Sequence, residues 1–183
     1  RTRINLYFLN SFQQLIEIEE EIINTSLSEV QENQFIKFKR YGFSDEWISK
    51  VWNVSLHDVR MKRNAFGIFP SYKMVDTCAA EFTANTAYYY SSWHGEHDVD
   101  VSSTKKKILI VGSGPIRIGQ GIEFDYCSVH GAISLKNLGY EAIIMNNNPE
   151  TVSTDYEMAD RLYFEPLTVE DVLNVVELEN VEG

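Results

Sequence analysis

The sequence predicts two domains: an all-α helical domain over residues 1–103, followed by an α/β domain with a small parallel sheet over residues 104–183. Apolar residues recur at helical spacing before residue 67. A polar stretch from Trp93 to Thr104 then has the composition of a linker. An apolar run, a glycine-rich loop and a helical pattern follow, which together are typical of the start of an α/β unit.

The first domain is predicted to consist of short helices. They are expected over residues 4–23, 26–42, 44–52 and 55–66. Ser26 with Glu29 has the form of a capping box, and Ser44 and Ser55 are residues that favour helix starts. Residues 68–91 are less periodic, and we expect extended segments there that lie on the helices.

The second domain is predicted to contain about three parallel strands, because its apolar runs are short and β-branched. The strands are expected at 108–111, 142–145 and 162–164, with helices at about 124–138 and from Thr168 onward. Thr168 with Asp171 forms another capping box, and Gly139 follows the first of these helices. Three strands are too few for a complete doubly wound domain, so we expect the chain to be part of a longer protein.

Composition excludes several classes of function. The 183 residues have a formal net charge of −11, which argues against nonspecific nucleic-acid binding because phosphate contacts need basic groups. The sequence contains no apolar run of membrane-spanning length and no signal-peptide pattern. Cys78 and Cys127 lie in apolar or small-residue surroundings, so we expect buried, reduced thiols and a cytoplasmic location.

The glycine-rich loop only partly resembles a dinucleotide-binding fingerprint. Gly112 and Gly114 match its first two glycines, but Arg117 occupies the position of the third, and the second strand is followed by Asn146 rather than an acid. These departures disfavour NAD and FAD. The loop would bring Arg117 and Glu123 to the carboxyl edge of the strands, where open α/β sheets bind ligands. The alternative is that the glycines only allow strand, loop and helix to pack closely.

A nucleic-acid-binding alternative rests on the helices at 44–52 and 55–66. Their arrangement resembles a helix-turn-helix, fused here to a Rossmann-like domain, and the second helix contains His57, Arg60, Lys62 and Arg63. The surrounding acidity and Asp58 in the presumed reading face oppose this alternative. A further alternative is that the aromatic-rich helical half is mainly an association module.

Longer motifs in the chain resemble the large subunit of carbamoyl phosphate synthetase. The runs that carry the resemblance are GSGPIRIGQGIEFDYC at 112–127, NNPETVSTD at 147–155 and DRLYFEP at 160–166. The runs YGFSD at 41–45 and VDTCAAEF at 75–82 match the same family in the same order.

The resemblance implies a place within that family's large subunit, which contains two homologous ATP-grasp synthetase halves. Residues 1–103 look like the oligomerisation domain between the halves. Residues 104–183 look like the Rossmann-like pre-ATP-grasp subdomain of the second half, which makes carbamoyl phosphate from carbamate and ATP. The whole enzyme consumes bicarbonate, two ATP and ammonia from glutamine, for pyrimidine or arginine synthesis.

The resemblance also implies cofactors and partners. ATP and Mg²⁺ serve the full enzyme, but their ligands would lie beyond residue 183, so no catalytic residue, metal site or bound cofactor is expected in this chain. The expected partners are the remaining synthetase domains of the same subunit and a glutamine amidotransferase. Self-association through the helical domain is expected as well, with no nucleic acid and no membrane among the partners.

The family moves carbamate between its two active sites through an internal tunnel. By resemblance, the tunnel-lining residues are Gly121 and Glu123; a glycine leaves room for a small anion, and a carboxylate can exchange a proton with it. For Glu123 the alternative is a helix N-terminal acid that only satisfies free amides. Loops that could face substrate contain Arg117, Thr151, Ser153 and Thr154. Hydroxyl residues in such loops more often cap backbone groups.

Overall fold

The computed structural model describes residues 3–83, 86–115 and 125–183, which divide into two compact units, Arg1–Phe69 and Pro70–Gly183. The first unit contains helices α1 (Leu6–Ile23), α2 (Glu32–Arg40), α3 (Asp45–Trp52) and α4 (Leu56–Ala65). The second contains β1 (Ser71–Met74), β2 (Tyr88–Ser92), β3 (Lys107–Val111), α5 (Tyr126–Asn137), β4 (Glu141–Asn146), a 3₁₀ helix (Val152–Thr154), β5 (Arg161–Phe164) and α6 (Val169–Glu179).

Three of the predicted helix starts are confirmed by their caps. The hydroxyl of Ser44 accepts a hydrogen bond from Trp47 N at 3.1 Å, and the hydroxyl of Ser55 accepts one from Asp58 N at 3.1 Å. Thr168 caps α6 in the same way. Each hydroxyl therefore satisfies an amide that has no partner within its own helix.

The predicted start of α2 is wrong. Ser26 and Glu29 do bond to each other at 2.7 Å, but they do so within a turn. The helix begins six residues after Ser26, where Gln31 and Gln34 form the capping box; the backbone N–H of Gln31 donates to Gln34 Oε1 at 3.0 Å. Glutamine at the position preceding a helix is a weaker sequence signal than serine, so the pattern indicated the wrong pair.

An ion cluster is buried in the helical unit. Asp45 accepts hydrogen bonds from Lys39 Nζ at 2.9 Å and from Arg63 Nε at 2.8 Å, and all three side chains are almost fully inaccessible to solvent. The two cations also donate to backbone carbonyls, Lys39 to Phe43 at 2.8 Å and Arg63 to Ile68 at 2.7 Å. The cluster joins α2, α3 and α4, and the apolar core lies in the same unit, including Phe35, Phe38, Ile48 and Val59.

Helix α1 packs against its unit only near its end. Ile18 and Ile22 are buried, and α1 contacts α3. The earlier turns expose large apolar side chains to solvent: Leu6, Tyr7, Phe8, Leu9, Phe12, Leu15 and Ile16. Five of them, Phe8, Leu9, Phe12, Leu15 and Ile16, share one side of the helix by their spacing, and we call these five residues the apolar face of α1.

The described strands form a five-stranded mixed sheet in the order β1-β2-β5-β4-β3. Four strands are parallel, with Tyr89 opposite Tyr163 and Ile144 opposite Leu162, and β1 is antiparallel to β2. The three parallel strands predicted within residues 104–183 are confirmed as β3, β4 and β5. The sheet is nevertheless larger than predicted. Residues 71–74 and 88–92, expected to lie on the helices, instead form β1 and β2, and β2 pairs with β5.

Alternate residues of the interior strand β4 belong to two core clusters, as expected for a strand covered on both faces. Ile143 and Met145 pack with Tyr163 and with Val175 of α6. The residues between them, Ala142 and Ile144, pack with Leu162 and with Ala132 of α5. The two helices thus cover opposite faces of the sheet.

A buried charged network joins the amino ends of the parallel strands to α6. Glu179 accepts two hydrogen bonds from Arg161, at 2.6 and 2.9 Å, and further bonds from Lys107 at 3.1 Å and from the hydroxyl of Tyr163. Arg161 also donates to Glu141 at 2.9 Å. Burial disfavours the charge on Arg161, but the two carboxylates outweigh burial and raise its pKa. This network stabilises the packing of α6 against the amino edge of the sheet, which is opposite the carboxyl ends of the strands.

The expectation of buried cysteines is wrong. Cys78 is half-buried and Cys127 is exposed; both are free thiols. Among the described helices, none is both long enough and apolar enough to cross a membrane.

Candidate functional site at the carboxyl edge of the sheet

The carboxyl ends of β2, β5, β4 and β3 lie at one edge of the sheet because these four strands are parallel. We call this the carboxyl edge. Gly112 follows β3, Asn146 ends β4 and Glu165 follows β5. Open α/β sheets bind ligands at this edge, so it is the candidate site.

Gly112 and Asn146 approach each other closely at this edge. A Cβ atom added to Gly112 would lie 2.6 Å from Asn146 Cγ, and the backbone N–H of Gly112 donates to Met145 O at 2.8 Å. Gly114 has a φ of +78°, and a Cβ there would lie 3.2 Å from Asn147 Oδ1. Both positions require glycine, one for space and one for backbone conformation. This geometry supports the packing interpretation of these two glycines.

The predicted residues Arg117, Gly121 and Glu123 fall at positions 116–124, which lie outside the described residues. Their roles stay predictions.

The predicted hydroxyl residues lie in the loop that follows β4, which we call loop 147–155. Thr154 Oγ1 donates within the loop, to Thr151 O at 2.8 Å and to Pro149 O at 3.1 Å. Ser153 and Thr154 are buried, whereas Thr151 is half-buried. These contacts cap backbone groups of the loop, and a substrate-facing role for the three hydroxyls stays a prediction.

Sequence reasoning did not single out Asp125, which organises this loop. Its carboxylate Oδ2 accepts a hydrogen bond from Thr151 Oγ1 at 2.8 Å and another from Ser153 N at 2.5 Å. Asp125 precedes α5 but makes no side-chain cap to that helix, and only 2% of it is exposed. The sequence signal was an acid at a helix start, which normally indicates a cap rather than a contact 26 residues away.

Glu165 is the second residue that sequence reasoning did not single out. It is buried at the end of β5, where its carboxylate accepts hydrogen bonds from Ser91 N and, at 2.8 Å, from Ser91 Oγ. Burial raises the pKa of Glu165 to about 7, and the negative charge of Asp171 adds to the rise, whereas the bonds from Ser91 oppose it. The signal for Glu165 in the sequence was an acidic residue placed between an apolar strand and Pro166.

Two cavities lie at the opposite, amino edge. One of about 460 Å³ is lined by residues 86–89 with Asp100, Tyr156, Asp160 and Arg161, and one of about 370 Å³ by residues 103–107 with part of α6. Among the described residues, no group of three or more His, Cys, Asp or Glu could hold a metal ion.

The helix pair α3–α4 does not present the basic surface that the helix-turn-helix alternative requires. Arg63 is 0% exposed and Arg60 is 8% exposed, and Arg63 is bound by Asp45. Lys62 lies 4.9 Å from the centre of the Phe66 ring. The two arginines expected to reach DNA are therefore inside the unit.

Comparisons with known proteins match both parts of the chain. The family model described as the carbamoyl phosphate synthase preATP-grasp domain matches residues 104–183. The model of the carbamoyl-phosphate synthetase large chain oligomerisation domain matches residues 1–67. None of the findings favours the nucleic-acid-binding alternative.

Three similar proteins are all named carbamoyl phosphate synthase arginine-specific large chain. The one from Halalkalibacterium halodurans is 63% identical over 183 residues, which is 100% of this chain and 18% of the relative. The one from Geobacillus stearothermophilus is 53% identical over 99% of this chain and 17% of the relative. The chloroplastic protein of Oryza sativa subsp. japonica is 53% identical over 98% of this chain and 15% of the relative.

The chain thus spans less than a fifth of the length of these relatives. Its two matched segments occur in the order expected from the motifs at 41–45, 75–82, 112–127, 147–155 and 160–166. The chain belongs to the carbamoyl phosphate synthetase large-chain family.

Proposed function

We propose that this chain forms the part of a carbamoyl phosphate synthetase large chain that connects its two synthetase halves. Residues 1–103, which include the helical unit, are the oligomerisation domain, and residues 104–183 are the Rossmann-like pre-ATP-grasp domain of the second half. The whole enzyme is a ligase that makes carbamoyl phosphate from bicarbonate, glutamine-derived ammonia and two ATP. The main support is 63% identity along the entire chain to a protein of that name.

We propose that the boundary between these two family domains lies between residues 103 and 104. The family model for the second domain begins at residue 104, which supports this position. The strands β1 and β2 then precede the boundary in sequence, although they belong to the same sheet as β3, β4 and β5, which follow it.

We propose that the parent enzyme serves arginine synthesis rather than pyrimidine synthesis and acts in the cytoplasm. The names of the three relatives support a role in arginine synthesis. The rice relative is named as chloroplastic, so its name does not support the cytoplasmic location. Deleting the gene should produce a requirement for arginine that uracil does not relieve. A requirement for uracil alone would contradict the assignment, and fluorescence microscopy of the tagged protein tests the location.

We propose that Gly121 and Glu123 line the carbamate tunnel at the carboxyl edge, with Arg117 and Thr151 nearby. The parallel strands support this placement because the glycine segment 112–124 begins where β3 ends at that edge. In the complete enzyme, Glu123→Gln should lower the yield of carbamoyl phosphate per ATP hydrolysed in the first half-reaction. Unchanged overall synthesis together with unchanged coupling would refute the tunnel role.

We propose that ATP and Mg²⁺ act in the full enzyme through ligands outside this chain. Calorimetry of the 183-residue chain with ATP and Mg²⁺ should detect no micromolar affinity. Micromolar binding would contradict the proposal.

We propose that the helical unit self-associates through the apolar face of α1. Its support is the combined exposure of Phe8, Phe12 and Ile16, each more than half exposed, in a segment that matches an oligomerisation domain. A glutamine amidotransferase and the remaining synthetase domains are the other proposed partners.

Sedimentation should show a dimer or larger species for the parent chain. It should show a monomer for the variant with Phe8→Glu and Phe12→Glu, because two charges in an apolar interface are costly. Gln14→Glu adds charge to an exposed position outside the apolar face and is the control. A monomeric parent chain would indicate instead that another part of the synthetase covers this face.

A further inference from the structure

A cavity of about 460 Å³ opens at the amino edge of the sheet, where β2 and β5 begin, and we call it the amino-edge cavity. Six residues of its wall have aromatic or charged side chains: Tyr88, Tyr89, Asp100, Tyr156, Asp160 and Arg161. Its volume lies within the range of about 300–1,000 Å³ that is common for small-molecule sites. The cavity is opposite the carboxyl edge, so a ligand bound here would be separate from the proposed tunnel.

The positive charge at this cavity is already balanced. Arg161, which is 7% exposed, is bound by Glu141 at 2.9 Å and by Glu179 at 2.6 Å. Glu179 also pairs with Lys107 at 3.1 Å, so two cations face two carboxylates. A phosphate or carboxylate ligand would have to displace these buried carboxylates from Arg161. The cavity is therefore unsuited to an anion.

Two aspartates leave the wall of the cavity negatively charged. Asp100 and Asp160 are both exposed, and each carboxylate accepts a backbone N–H hydrogen bond, from Ser102 at 2.9 Å and from Ala142 at 2.8 Å. Hydrogen bonds from Ser102 lower the pKa of Asp100, which keeps its carboxyl group ionised near neutral pH. Because a carboxylate can accept about four hydrogen bonds, both side chains can still bind N–H donors of a ligand. The charge of the wall thus favours a cation.

The tyrosines give the cavity aromatic surface and a hydroxyl group without a partner. Tyr89 is 7% exposed, and its hydroxyl makes no hydrogen bond among the residues that the structure describes. Burial raises the pKa of Tyr89, so this hydroxyl is neutral and can accept an N–H donor. Buried polar groups without a partner are uncommon in native proteins. Tyr88 and Tyr156 add rings whose faces attract cations.

An organic cation fits these features better than a metal ion. Within the described ranges, no group of three or more His, Cys, Asp or Glu could hold a metal. A guanidinium group has N–H donors in a planar fork that matches a carboxylate, and it stacks on aromatic rings. We propose that the amino-edge cavity binds a small alkylguanidinium ligand. Asp100, Asp160 and the Tyr89 hydroxyl accept its N–H groups, and its alkyl chain lies along Tyr88 and Tyr156.

The test uses the complete large chain with propylguanidinium, and a saturation-transfer NMR titration measures binding. Propylurea has nearly the same shape without the charge, and propylammonium has the charge without the planar fork. Propylguanidinium should bind saturably. Propylurea should bind at least about tenfold more weakly, since charge-assisted hydrogen bonds are roughly twice as strong as neutral ones. Propylammonium should bind a few-fold more weakly, because it cannot pair with a carboxylate through two parallel hydrogen bonds.

The two aspartates are tested together. Asp100→Asn combined with Asp160→Asn should weaken propylguanidinium binding at least about tenfold. Asparagine oxygens can still accept from the same backbone N–H groups, so the contacts within the fold stay. The control combines Glu96→Gln with Glu150→Gln, which removes the same formal charge from exposed positions that do not line the cavity. The control should bind the ligand as the parent chain does.

Tyr89→Phe is a second, independent variant. It removes a hydroxyl that has no partner among the described residues, so the fold should be preserved. Propylguanidinium should bind about three- to tenfold more weakly, because one hydrogen bond to the ligand is lost.

The proposal fails if propylguanidinium does not bind saturably, or if propylurea or propylammonium binds equally well. It also fails if the double asparagine variant or Tyr89→Phe binds as the parent chain does. An equal loss in the control would indicate attraction to the net negative charge of the chain rather than a site, and would overturn the proposal as well. These outcomes are independent of the tunnel proposal, because none of the six residues of the cavity wall belongs to it.

Discussion

Replacing Glu165 by glutamine should change the pH dependence of stability. The parent carboxyl group is 3% exposed, and its two hydrogen bonds come from Ser91. Glutamine keeps the size of the side chain, its oxygen can accept from Ser91 N, and its amide can donate to Ser91 Oγ. The substitution therefore removes the ionisation of the group while preserving the contact.

The size and sign of the effect follow from the pKa. Burial raises the pKa of Glu165 from 4.5 to about 7, so the folded state binds the proton more tightly than the unfolded state does. The stability that this group contributes is fully present below pH 4.5 and is lost as the pH rises through 7. A shift of this size corresponds to about 3 kcal/mol, since each pKa unit is worth about 1.4 kcal/mol.

We expect Glu165→Gln to gain about 3 kcal/mol of unfolding free energy relative to the parent between pH 4.5 and pH 8. Urea unfolding at a series of pH values, followed by circular dichroism and fluorescence, measures this difference. Glu150→Gln removes the same formal charge from an exposed position and controls for net charge. Ser91→Ala should move the pH window of the parent upward, because it removes a donor that stabilises the carboxylate.

A variant whose unfolding free energy runs parallel to that of the parent from pH 4.5 to 8 would refute this reasoning. It would mean that water or another donor solvates the Glu165 carboxylate in the folded state. A pH effect of Ser91→Ala that persists in the Glu165→Gln background would also refute it, because the two residues would then act independently.

Two further predictions concern the two units separately. Asp45→Asn should destabilise the helical unit by about 3–5 kcal/mol, because it leaves two buried cations without their carboxylate; thermal unfolding of the parent and variant measures the loss. Gly112→Ala should cost about 1–3 kcal/mol, because its Cβ would lie 2.6 Å from Asn146 Cγ. Gly131 lies within helix α5, and an added Cβ there would lie 3.4 Å from Ile110 Cδ1, so the control Gly131→Ala should be neutral or stabilising. Equal melting temperatures for the two alanine variants would contradict the close approach at the end of β3.

Local sequence signals predicted the elements whose contacts are local. The starts of α3, α4 and α6 follow from a hydroxyl side chain that bonds three residues ahead. The strands β3, β4 and β5 follow from apolar composition alone. The strands β1 and β2 were missed because their sequences, SYKM and YYYSS, are not apolar runs, and because the pairing of β2 with β5 is not local in sequence.

The position of the candidate site at the carboxyl edge could be predicted from the sequence, but the side-chain contacts within the site could not. Parallel strands with a glycine segment indicate the carboxyl edge without knowledge of side-chain positions. The bonds from Asp125 to loop 147–155, and from Glu165 to Ser91, join residues 26 to 74 positions apart. Such pairs depend on how the loops fold across the edge, and periodicity contains no information about that.

The way β2 enters the sheet determines where the chain can be divided. β2 pairs with β5, and Tyr72 and Tyr89 pack on Tyr163 in the same core cluster. Truncation at residue 104, where the second family domain begins, would uncover one side of β5 and remove both tyrosines. A cut between residues 69 and 70 keeps those aromatic neighbours together, so the border of the family domain and the border of the compact unit lie at different residues.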